Sequence, residues 1–489
     1  MPADTAVPVL DAVHALAFIG DLSMGQPIDH SQRTAWLSAR LAEAAGFDAA
    51  TAAAARQMSL LRWSGCTANA PDFDALIGDD VGGRALMLAR RVEDPAFGRV
   101  ISLVQSAMRP LTDIHCEVSG DIAHTLGMAP EVEHGLRWIF ERCDGHGPRG
   151  LAAAEIPPAV HLVAVAGDLE VLARAHGLPR ALAMLDAQAG SAYPEALVAL
   201  AAQHAKDWLA RLDRDERWQH EAAPDGPDGP THGSVALELV ADVIDLKLPW
   251  MAGHSRRVAE AARQAAALIG LTAAAQARCH RAGLIHGMGR AAVPNAVWDT
   301  PGRLTPAARE QVRLVPYWTA RAAGQVGSLA ADAEVASYAG ERLDGSGAFR
   351  NCGGAMIPPE GRVLAAAAAW VALRSPRPWR RALPPHEART VLQTEAQAGR
   401  FDADAVHALC GAAAPMRAAL SPAAEAIALT AREIEIFRGI SLGQTNKEVA
   451  RALDISPSTV RTHVENVFRK LDCTTRAAAT LKASALGLI

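Results

Sequence analysis

Aromatic residues are scarce in this chain of 489 residues, of which only 4% are Phe, Trp or Tyr and just three are tyrosines. Cysteine is also rare. The seven cysteines form no Cys-x-x-Cys pair, which argues against a disulfide framework and a zinc site and indicates a reducing compartment. The net charge of −5 excludes a generally basic nucleic-acid-binding protein, so any such surface must be local.

Long apolar runs are missing as well. No uncharged run reaches the roughly 18 residues that a membrane-spanning helix needs, and the N-terminal stretch has no basic region ahead of its apolar residues. We therefore expect no targeting segment, no membrane partner and a cytoplasmic location. Ala is abundant, together with Leu, Arg and Glu, which are good helix formers. The composition predicts an all-α protein, and the length allows about three domains.

Two stretches break the helical pattern and divide the chain. Residues 221–234 are rich in Pro, Gly and Asp, and a second break covers residues 413–428. The first composition cannot hold a helix, and the second, weaker break is marked by Pro415 and Pro422, so both are predicted to be linkers. The predicted domains are therefore residues 1–220, 235–412 and 429–489.

The first two predicted domains look like copies of each other. Each has a His-Ser-x-Arg motif, at His30 and His254, and later a Glu-Arg-x-Asp-Gly-x-Gly motif, at Glu141 and Glu341. An Ile-Pro-Pro motif follows in both. Matched landmarks in matched order predict a duplication. The aspartates of the second motif are predicted to shape sharp turns.

The second copy resembles the HD-GYP branch of the HD phosphohydrolase superfamily, which hydrolyses cyclic di-GMP at a site of two or three metal ions. The motifs that carry the resemblance, in family order, are GHSRRV (253–258), LIHGMGRAAVP (284–294), TPGRLT (300–305), ERLDGSG (341–347), IPP (357–359) and SPRPWR (375–380). The first copy shows it more weakly. The resemblance implies two tandem helical domains of the HD-superfamily type.

The resemblance also shows which expected metal ligands are replaced. His254 and His286 match two family histidines, but Gly287 replaces the aspartate of the HD pair and Arg290 replaces a family lysine. Other family ligand or signature positions fall on Val315, Ala339, Gly340, Ala348, Phe349 and Ala368. In the first copy the HD pair falls on Arg62 and Trp63. Because such residues offer a metal no lone pair, we predict a pseudoenzyme with no catalytic residue, no metal and no cofactor.

The remaining polar residues at these positions form a candidate effector pocket of His254, Arg257, His286 and Arg290. A guanidinium binds phosphate in a bidentate manner without a metal, so a small anionic or nucleotide effector is the expected ligand. An alternative is that the histidines are hydrogen-bonded core residues.

The C-terminal stretch, residues 429–489, has the pattern of a helix-turn-helix. Thr430 and Glu433 are spaced as a capping box that opens a helix. Thr445 then starts a short helix, and Ser456 starts an amphipathic basic helix with Pro in its first turn. Two short helices at this spacing are typical of a helix-turn-helix.

This stretch resembles the LuxR/GerE-type DNA-binding domain, a four-helix module, through LTxRExE, GxTNKEVAxxLxIS, TVRTHVxNVxRKL and RAAA. The resemblance implies double-stranded DNA as a partner and a homodimer formed through the last helix. Arg461 is the candidate for a guanine edge and Thr459 for a thymine methyl group or a base acceptor. The predicted DNA-binding residues are Asn446, Lys447, Ser458, Thr459, Arg461, Thr462, His463, Asn466, Arg469 and Lys470.

Our interpretation is a transcriptional regulator in which two HD-GYP-like domains without enzyme activity serve as a sensing and dimerisation platform. Two alternatives remain open. One is a metal-dependent cyclic-dinucleotide phosphodiesterase with a DNA-binding tail, which would need unusual ligands such as His30, His115, His134 or His146. The other is a regulator whose helical domains are purely structural.

Overall fold

The computed structural model describes residues 5–214, 233–411, 427 and 429–489. Helices dominate, which confirms the predicted all-α class, and the strands β1 (Ala6–Pro8) and β2 (Ser234–Ala236) pair in a two-stranded sheet. None of the helices in the described part of the chain is both long and apolar enough to cross a membrane.

The chain divides into two compact units. One is Pro8–Ser234, and the other combines Met1–Val7 with Val235–Ile489. Most of the two predicted linkers, 221–234 and 413–428, lies outside the described residues. The division into three domains therefore stays a prediction.

The first unit is built from helices, of which His30–Ala44 and Pro158–His176 each pack against several others. They are α1 (Val9–Ser23), α2 (His30–Ala44), α3 (Ala49–Leu61), α4 (Ala70–Ile77), α5 (Asp80–Leu88), α6 (Phe97–Ser106), α7 (Met108–Thr125), α8 (Pro130–Arg137), α9 (Pro158–His176), α10 (Leu178–Asp186) and α11 (Glu195–Arg214).

The second unit repeats this helical construction and then adds the helix-turn-helix stretch. Its helices are α12 (Glu238–Leu246), α13 (His254–Leu268), α14 (Ala273–Ile285), α15 (Asn295–Asp299), α16 (Pro306–Arg313), α17 (Val315–Ala323), α18 (Ala330–Ala336), α19 (Pro359–Arg374), α20 (Pro385–Gln397), α21 (Ala403–Gly411), α22 (Ala431–Ser441), α23 (Asn446–Leu453), α24 (Pro457–Leu471) and α25 (Arg476–Ala485).

The helix that opens with the His-Ser-x-Arg motif is fixed in the same way in both units. The carboxylate of Asp21 accepts hydrogen bonds from the backbone N–H of Ser31 at 3.0 Å and from its hydroxyl at 2.5 Å. The carboxylate of Asp245 accepts the same two bonds from Ser255, at 2.7 and 2.8 Å. α2 then packs against α3 and α9, as α13 does against α14 and α19. These matching contacts agree with the predicted duplication.

The Glu-Arg-x-Asp-Gly-x-Gly motif forms a closed loop in both units. Asp144 and Asp344 each accept a hydrogen bond at 2.9 Å from the backbone N–H two residues further on, which is an Asx turn. Glu141 and Glu341 each accept a backbone N–H from the far end of the loop, at 2.8 and 2.7 Å. The structural role predicted for the two aspartates is confirmed.

The helix starts predicted in residues 429–489 are those observed. Thr430 and Thr445 form capping boxes with the glutamates three residues later, and Ser456 accepts the backbone N–H of Thr459 at 3.1 Å. The last helix, α25, packs against α12 of the same unit. The helix for which the resemblance implies dimerisation therefore has a partner within its own chain.

Gly289 gives a first prediction, on stability. A Cβ at this position would lie 2.0 Å from the carbonyl oxygen of Val315 and 2.9 Å from the Cβ of Trp318. We expect Gly289→Ala to lower the free energy of unfolding by about 1–3 kcal/mol, the usual cost of overpacking. Gly327→Ala is the control, because nothing lies within 4 Å of its Cβ position. Equal urea-unfolding midpoints for the two variants would contradict this packing.

Candidate functional site

The predicted effector pocket is a buried cluster at the start of α13. His254 and His286 are 2% and 5% exposed, and their ring centroids lie 5.9 Å apart. Because a guanidinium only donates, the Nε2 of His286 accepts from Arg290 at 2.7 Å, and its Nδ1–H donates to the carbonyl of Gly283 at 2.7 Å. Burial, together with the charge of Arg290, lowers the pKa of His286 to about 3. This imidazole is therefore neutral.

Arg290 fills the space beside the glycine that replaces a carboxylate. A Cβ on Gly287 would lie 2.4 Å from Nη1 of Arg290 and 2.9 Å from its Cζ. The same Nη1 lies 3.7 Å from Oδ1 of Asp245 and has no hydrogen-bond partner in the described part of the chain. A positive group thus stands where an aspartate at position 287 would extend.

Three arginines gather around this single carboxylate. Burial, aided by the charges of Arg290, Arg377 and Arg257, holds the pKa of His254 well below its usual range. Burial raises the pKa of Asp245 to about 6, against the opposing effect of Arg290. Nη1 of Arg377 is buried and, within the described residues, has no hydrogen-bond partner. The cluster therefore has an excess of positive charge and unused donors, which is the chemistry of an anion site.

These side chains do not fit the metal centre that the HD-GYP resemblance implies. The Nε2 of His286 faces a guanidinium, and the carboxylate of Asp245 already accepts two bonds from Ser255. In residues 5–214, 233–411 and 429–489, no group of three or more His, Cys, Asp or Glu side chains is placed to hold a metal ion. The absence of a metal and of a cofactor stays a prediction.

An arginine also fills a glycine's space in the first unit. A Cβ on Gly167 would lie 2.0 Å from Nη1 of Arg62. The guanidinium carbon lies 4.4 Å from the ring centroid of Trp63, and Nη2 lies 3.8 Å from Oδ1 of Asp168. Arg62, which the sequence placed at the HD pair, is thus a buried guanidinium against a carboxylate.

His30 faces a carboxylate that the sequence analysis did not identify. Its Nδ1 lies 2.6 Å from Oε2 of Glu170, whose Oε1 accepts from Arg33 and Arg174, each at 3.0 Å. Burial alone would raise the pKa of Glu170, but His30 and Arg174 lower it to about 2. His30 therefore belongs to a hydrogen-bonded network with Glu170, Arg33 and Arg174.

The other histidines that the metal-dependent alternative needs are engaged separately. Nε2 of His115 lies 2.9 Å from the carbonyl oxygen of Arg62, and burial lowers its pKa to about 3. His134 stacks on Trp138, and the side chain of His146 is 84% exposed. No common ligand set arises from these contacts.

Asp245, Arg377 and Glu170 were missed as site residues by sequence reasoning. One pattern could have found the first: Asp21 and Asp245 each lie nine residues before the motif histidine of their unit. Arg377 lies within the SPRPWR motif (375–380), but nothing in the sequence placed it beside His254, and no pattern marks Glu170.

Asp21 gives a second prediction, on the pH dependence of stability. Burial raises its pKa to about 7; His30 and Ser31 oppose this shift, and Glu170 adds to it. The folded state therefore binds a proton on the Asp21 carboxyl more tightly than the unfolded chain does. The resulting contribution to the free energy of unfolding is complete below about pH 4. It is lost as the pH rises through about 7, at up to about 1.4 kcal/mol per pH unit.

The test compares thermal unfolding midpoints of Asp21→Asn and the unmodified protein from pH 4 to 8. The advantage of the unmodified protein should shrink as the pH rises. Asp245→Asn is the matched variant, for which the advantage of the unmodified protein should be lost as the pH rises through about 6, the pKa of Asp245. Parallel curves for Asp21→Asn and the unmodified protein would show that this carboxyl does not titrate in that window.

Most of the predicted DNA-binding residues lie on or next to the surface of α24. Lys447, Ser458, Thr459, Arg461, Thr462 and Arg469 are exposed, and Asn446, His463 and Asn466 are half-buried. The side chain of Arg461 is 75% exposed, and its Nε donates to Oε1 of Glu465 at 2.8 Å. A surface pair of this kind is weak, so the guanidinium can exchange Glu465 for another acceptor.

Some of these side chains also hold the domain together. Nζ of Lys470 lies 2.7 Å from the buried carboxylate of Glu433, which caps α22. The hydroxyls of Ser458 and Thr459 contact the Oγ of Ser456 at 2.7 and 2.8 Å, within the N-terminal cap of α24. Roles in DNA binding stay predictions for every residue of this set.

Comparison with known proteins agrees with both parts of this description. Residues 238–405 match the HD domain family, and residues 428–483 match the luxR family of bacterial regulatory proteins. The nitrate/nitrite response regulator protein NarP of Escherichia coli strain K12 is 42% identical over 53 residues, which are 11% of this chain and 25% of NarP.

The helical domains have relatives along most of the chain. The 3′3′-cGAMP-specific phosphodiesterase 3 of Vibrio cholerae serotype O1 is 23% identical over 421 residues, which are 80% of this chain and 92% of the relative. The crystal structure of a cyclic GMP-AMP-specific phosphodiesterase of V. cholerae has a TM-score of 0.60 at 21% identity, and the match covers 84% of this chain and 99% of that one. This second likeness shows a shared fold.

The similarity to a phosphodiesterase corrects one prediction. A pseudoenzyme without activity is the prediction from the replaced ligands, and similarity along 80% of the chain to an enzyme contradicts it. The physical reason is that replaced residues exclude only one arrangement of ligands and do not exclude chemistry by other side chains. The chain thus contains an HD domain in residues 238–405, followed in residues 428–483 by a helix-turn-helix domain of the luxR type.

Proposed function

We propose that this DNA-binding regulator binds a cyclic dinucleotide in its HD domain and that the ligand changes its affinity for DNA. The luxR-type domain supports the regulator role. The proposal of a cyclic dinucleotide as the ligand rests on one observation. Arg257, Arg290 and Arg377 gather around the single carboxylate of Asp245.

The chemistry of the cluster favours a phosphodiester. Nη1 of Arg290 and Nη1 of Arg377 each lack a hydrogen-bond partner among the described residues, so both have a donor to offer. A guanidinium matches the geometry of phosphate oxygens, and two guanidiniums suit the two phosphodiesters of a cyclic dinucleotide. The relative from V. cholerae is named for 3′3′-cGAMP, which makes this the first ligand to test.

α12 supplies a path from the cluster to the DNA-binding domain. It carries Asp245, whose carboxylate lies 3.7 Å from Arg290, and it also packs against α25. The loop after α22 also lies against the segment that follows α12, because a Cβ on Gly443 would lie 3.0 Å from the Cβ of Pro249. A phosphate that draws Arg290 away from Asp245 changes the charge balance of a helix that the DNA-binding domain contacts.

The experiment selects DNA sites from a random library with the full chain and measures 3′3′-cGAMP binding by isothermal titration. Recovery of one enriched sequence and saturable ligand binding is the expected result. Failure to enrich any sequence would refute the proposed role as a DNA-binding regulator. Enrichment without binding of the cyclic dinucleotide would leave the helical domains as a purely structural part of a regulator.

We also infer that the protein acts as a homodimer in the cytoplasm. A two-fold dimer that places two copies of α24 on DNA requires an inverted repeat with half-sites about one helical turn apart. The enriched sequences should therefore be inverted repeats, and light scattering should give twice the mass of the chain. A monomer that selects a single half-site would contradict the dimer.

A second candidate function is hydrolysis of a cyclic dinucleotide, which the similarity to the phosphodiesterase along 80% of the chain favours. Chromatography of 3′3′-cGAMP after incubation with the protein tests it directly. Conversion to a linear dinucleotide that is lost in His286→Ala would support hydrolysis. Recovery of intact 3′3′-cGAMP at a protein concentration that binds all of it would favour sensing without turnover.

A further inference from the structure

The second unit contains a pocket of about 370 Å³ that shares no lining residue with the histidine–arginine cluster. Its walls come from α16, from the loop after α18 and from α20, and four of its lining side chains are arginines. Small-molecule sites have volumes of about 300–1,000 Å³, so the space suits a ligand larger than a bare ion. We propose that this pocket binds a small phosphate-bearing molecule, at a site separate from the cluster around Arg290.

The charges around the pocket are only partly balanced. Arg400 lies 2.9 Å from Glu395 and 3.5 Å from Asp344, so two carboxylates hold it. Arg313 lies 4.0 Å from its helix neighbour Glu310, which is a weak contact. Glu395 lines the pocket and its charge also acts on Arg342, but among the four arginines only Arg400 lies within 3.5 Å of a carboxylate oxygen in the described residues.

Arg309 and Arg342 complete the positive wall. Neither has a carboxylate oxygen within 4 Å among the residues that the structure describes. Nη1 of Arg342 donates to the carbonyl of Glu341 at 2.8 Å and its guanidinium lies 4.3 Å from the ring centroid of Phe401, which holds it in place. Arg309 is exposed on α16. One fixed guanidinium and one exposed guanidinium can therefore meet an anion from two sides.

Small residues also line the pocket. Gly340 and Ala348 line it, and Phe349, the next residue, has a φ of 79°. This left-handed conformation is uncommon for an aromatic residue, and such strained backbone is typical of ligand sites. A Cβ on Gly340 would lie 3.3 Å from the Cβ of Ala348, so a larger side chain there would reduce the available space.

The test uses inorganic pyrophosphate as the probe and the full chain in isothermal titration. We expect saturable binding that weakens by about tenfold or more in Arg309→Ala and in Arg313→Ala, as the loss of a charged hydrogen bond predicts. Arg321→Ala, a change of an exposed arginine of α17 outside the pocket, should bind as the unmodified protein does. Circular dichroism confirms that each variant is folded.

Arg290→Ala separates this site from the cluster of the proposed function. Pyrophosphate binding that persists in Arg290→Ala and is lost in Arg309→Ala supports the second site, whether or not 3′3′-cGAMP binds. Pyrophosphate binding that is absent, or that only Arg290→Ala removes, overturns it.

Discussion

Replacing Arg461 with alanine is expected to weaken binding to the selected DNA site by about 5- to 150-fold, because a bidentate contact to guanine contributes about 1–3 kcal/mol. Arg461 is the candidate because it lies near the start of α24 and is 75% exposed. Its pairing with Glu465 is a surface contact that DNA can replace at little cost. Fluorescence anisotropy with the selected duplex and with variants at each base pair measures the effect.

The control is Arg432→Ala, which removes an arginine from α22, outside the recognition helix, where it pairs with Glu435. It should leave the affinity for DNA within about twofold, as expected for an exposed ion pair worth less than 1 kcal/mol. Arg461→Ala should also relax preference at one base pair. A uniform loss over all sequences would instead identify Arg461 as a phosphate contact.

Replacing Arg290 with alanine is expected to weaken 3′3′-cGAMP binding by about 10- to 150-fold, because a hydrogen bond to a charged group contributes about 1.5–3 kcal/mol. Arg290 is only 9% exposed, so the interaction lies in a weakly screened environment. Isothermal titration measures the ligand affinity, and the DNA affinity of the same variant should no longer respond to the ligand.

Arg290→Lys and Arg263→Ala are the matched variants. Lysine keeps the charge but loses the planar fork, so its ligand affinity should fall between those of the unmodified protein and Arg290→Ala. Arg263 lies on α13 and pairs with Glu260 at the surface, so its removal should not change ligand binding. Equal ligand affinity in Arg290→Ala and the unmodified protein would rule out the cluster as the site.

Local sequence patterns predicted much of the helix-turn-helix domain. Thr430, Thr445 and Ser456 open the helices at which capping rules place them, because a side-chain oxygen at that position satisfies a free backbone N–H. The Asx turns at Asp144 and Asp344 followed from the same kind of local chemistry. These features depend on residues within four positions of one another, which a sequence displays directly.

Local patterns could not predict which side chains contact each other around Arg290 in the second unit and around Arg62 in the first. The approach of Arg290 to Gly287, and of Arg62 to Gly167, depends on which guanidinium the packing leaves room for. Arg377 reaches its cluster from more than 80 residues away along the chain, and no periodicity marks it. The sequence named the residues that replace metal ligands, but their new partners became visible only in the fold.

Replacement of ligands was also too narrow a basis for predicting function. The replaced residues exclude the metal centre of one family but do not exclude other chemistry. The relationship to a phosphodiesterase along 80% of the chain contradicts the step from missing ligands to missing activity. Binding of the cyclic dinucleotide and its turnover are therefore separate questions, each with its own experiment.

The most direct test of the account is the dissociation constant of the full chain for its selected DNA duplex, measured by fluorescence anisotropy with and without saturating 3′3′-cGAMP. We expect the two constants to differ by at least fivefold, the lower end of typical coupling between two sites, and the difference to vanish in Arg290→Ala. Identical constants in the presence of bound ligand would contradict the claim that the HD domain regulates DNA binding.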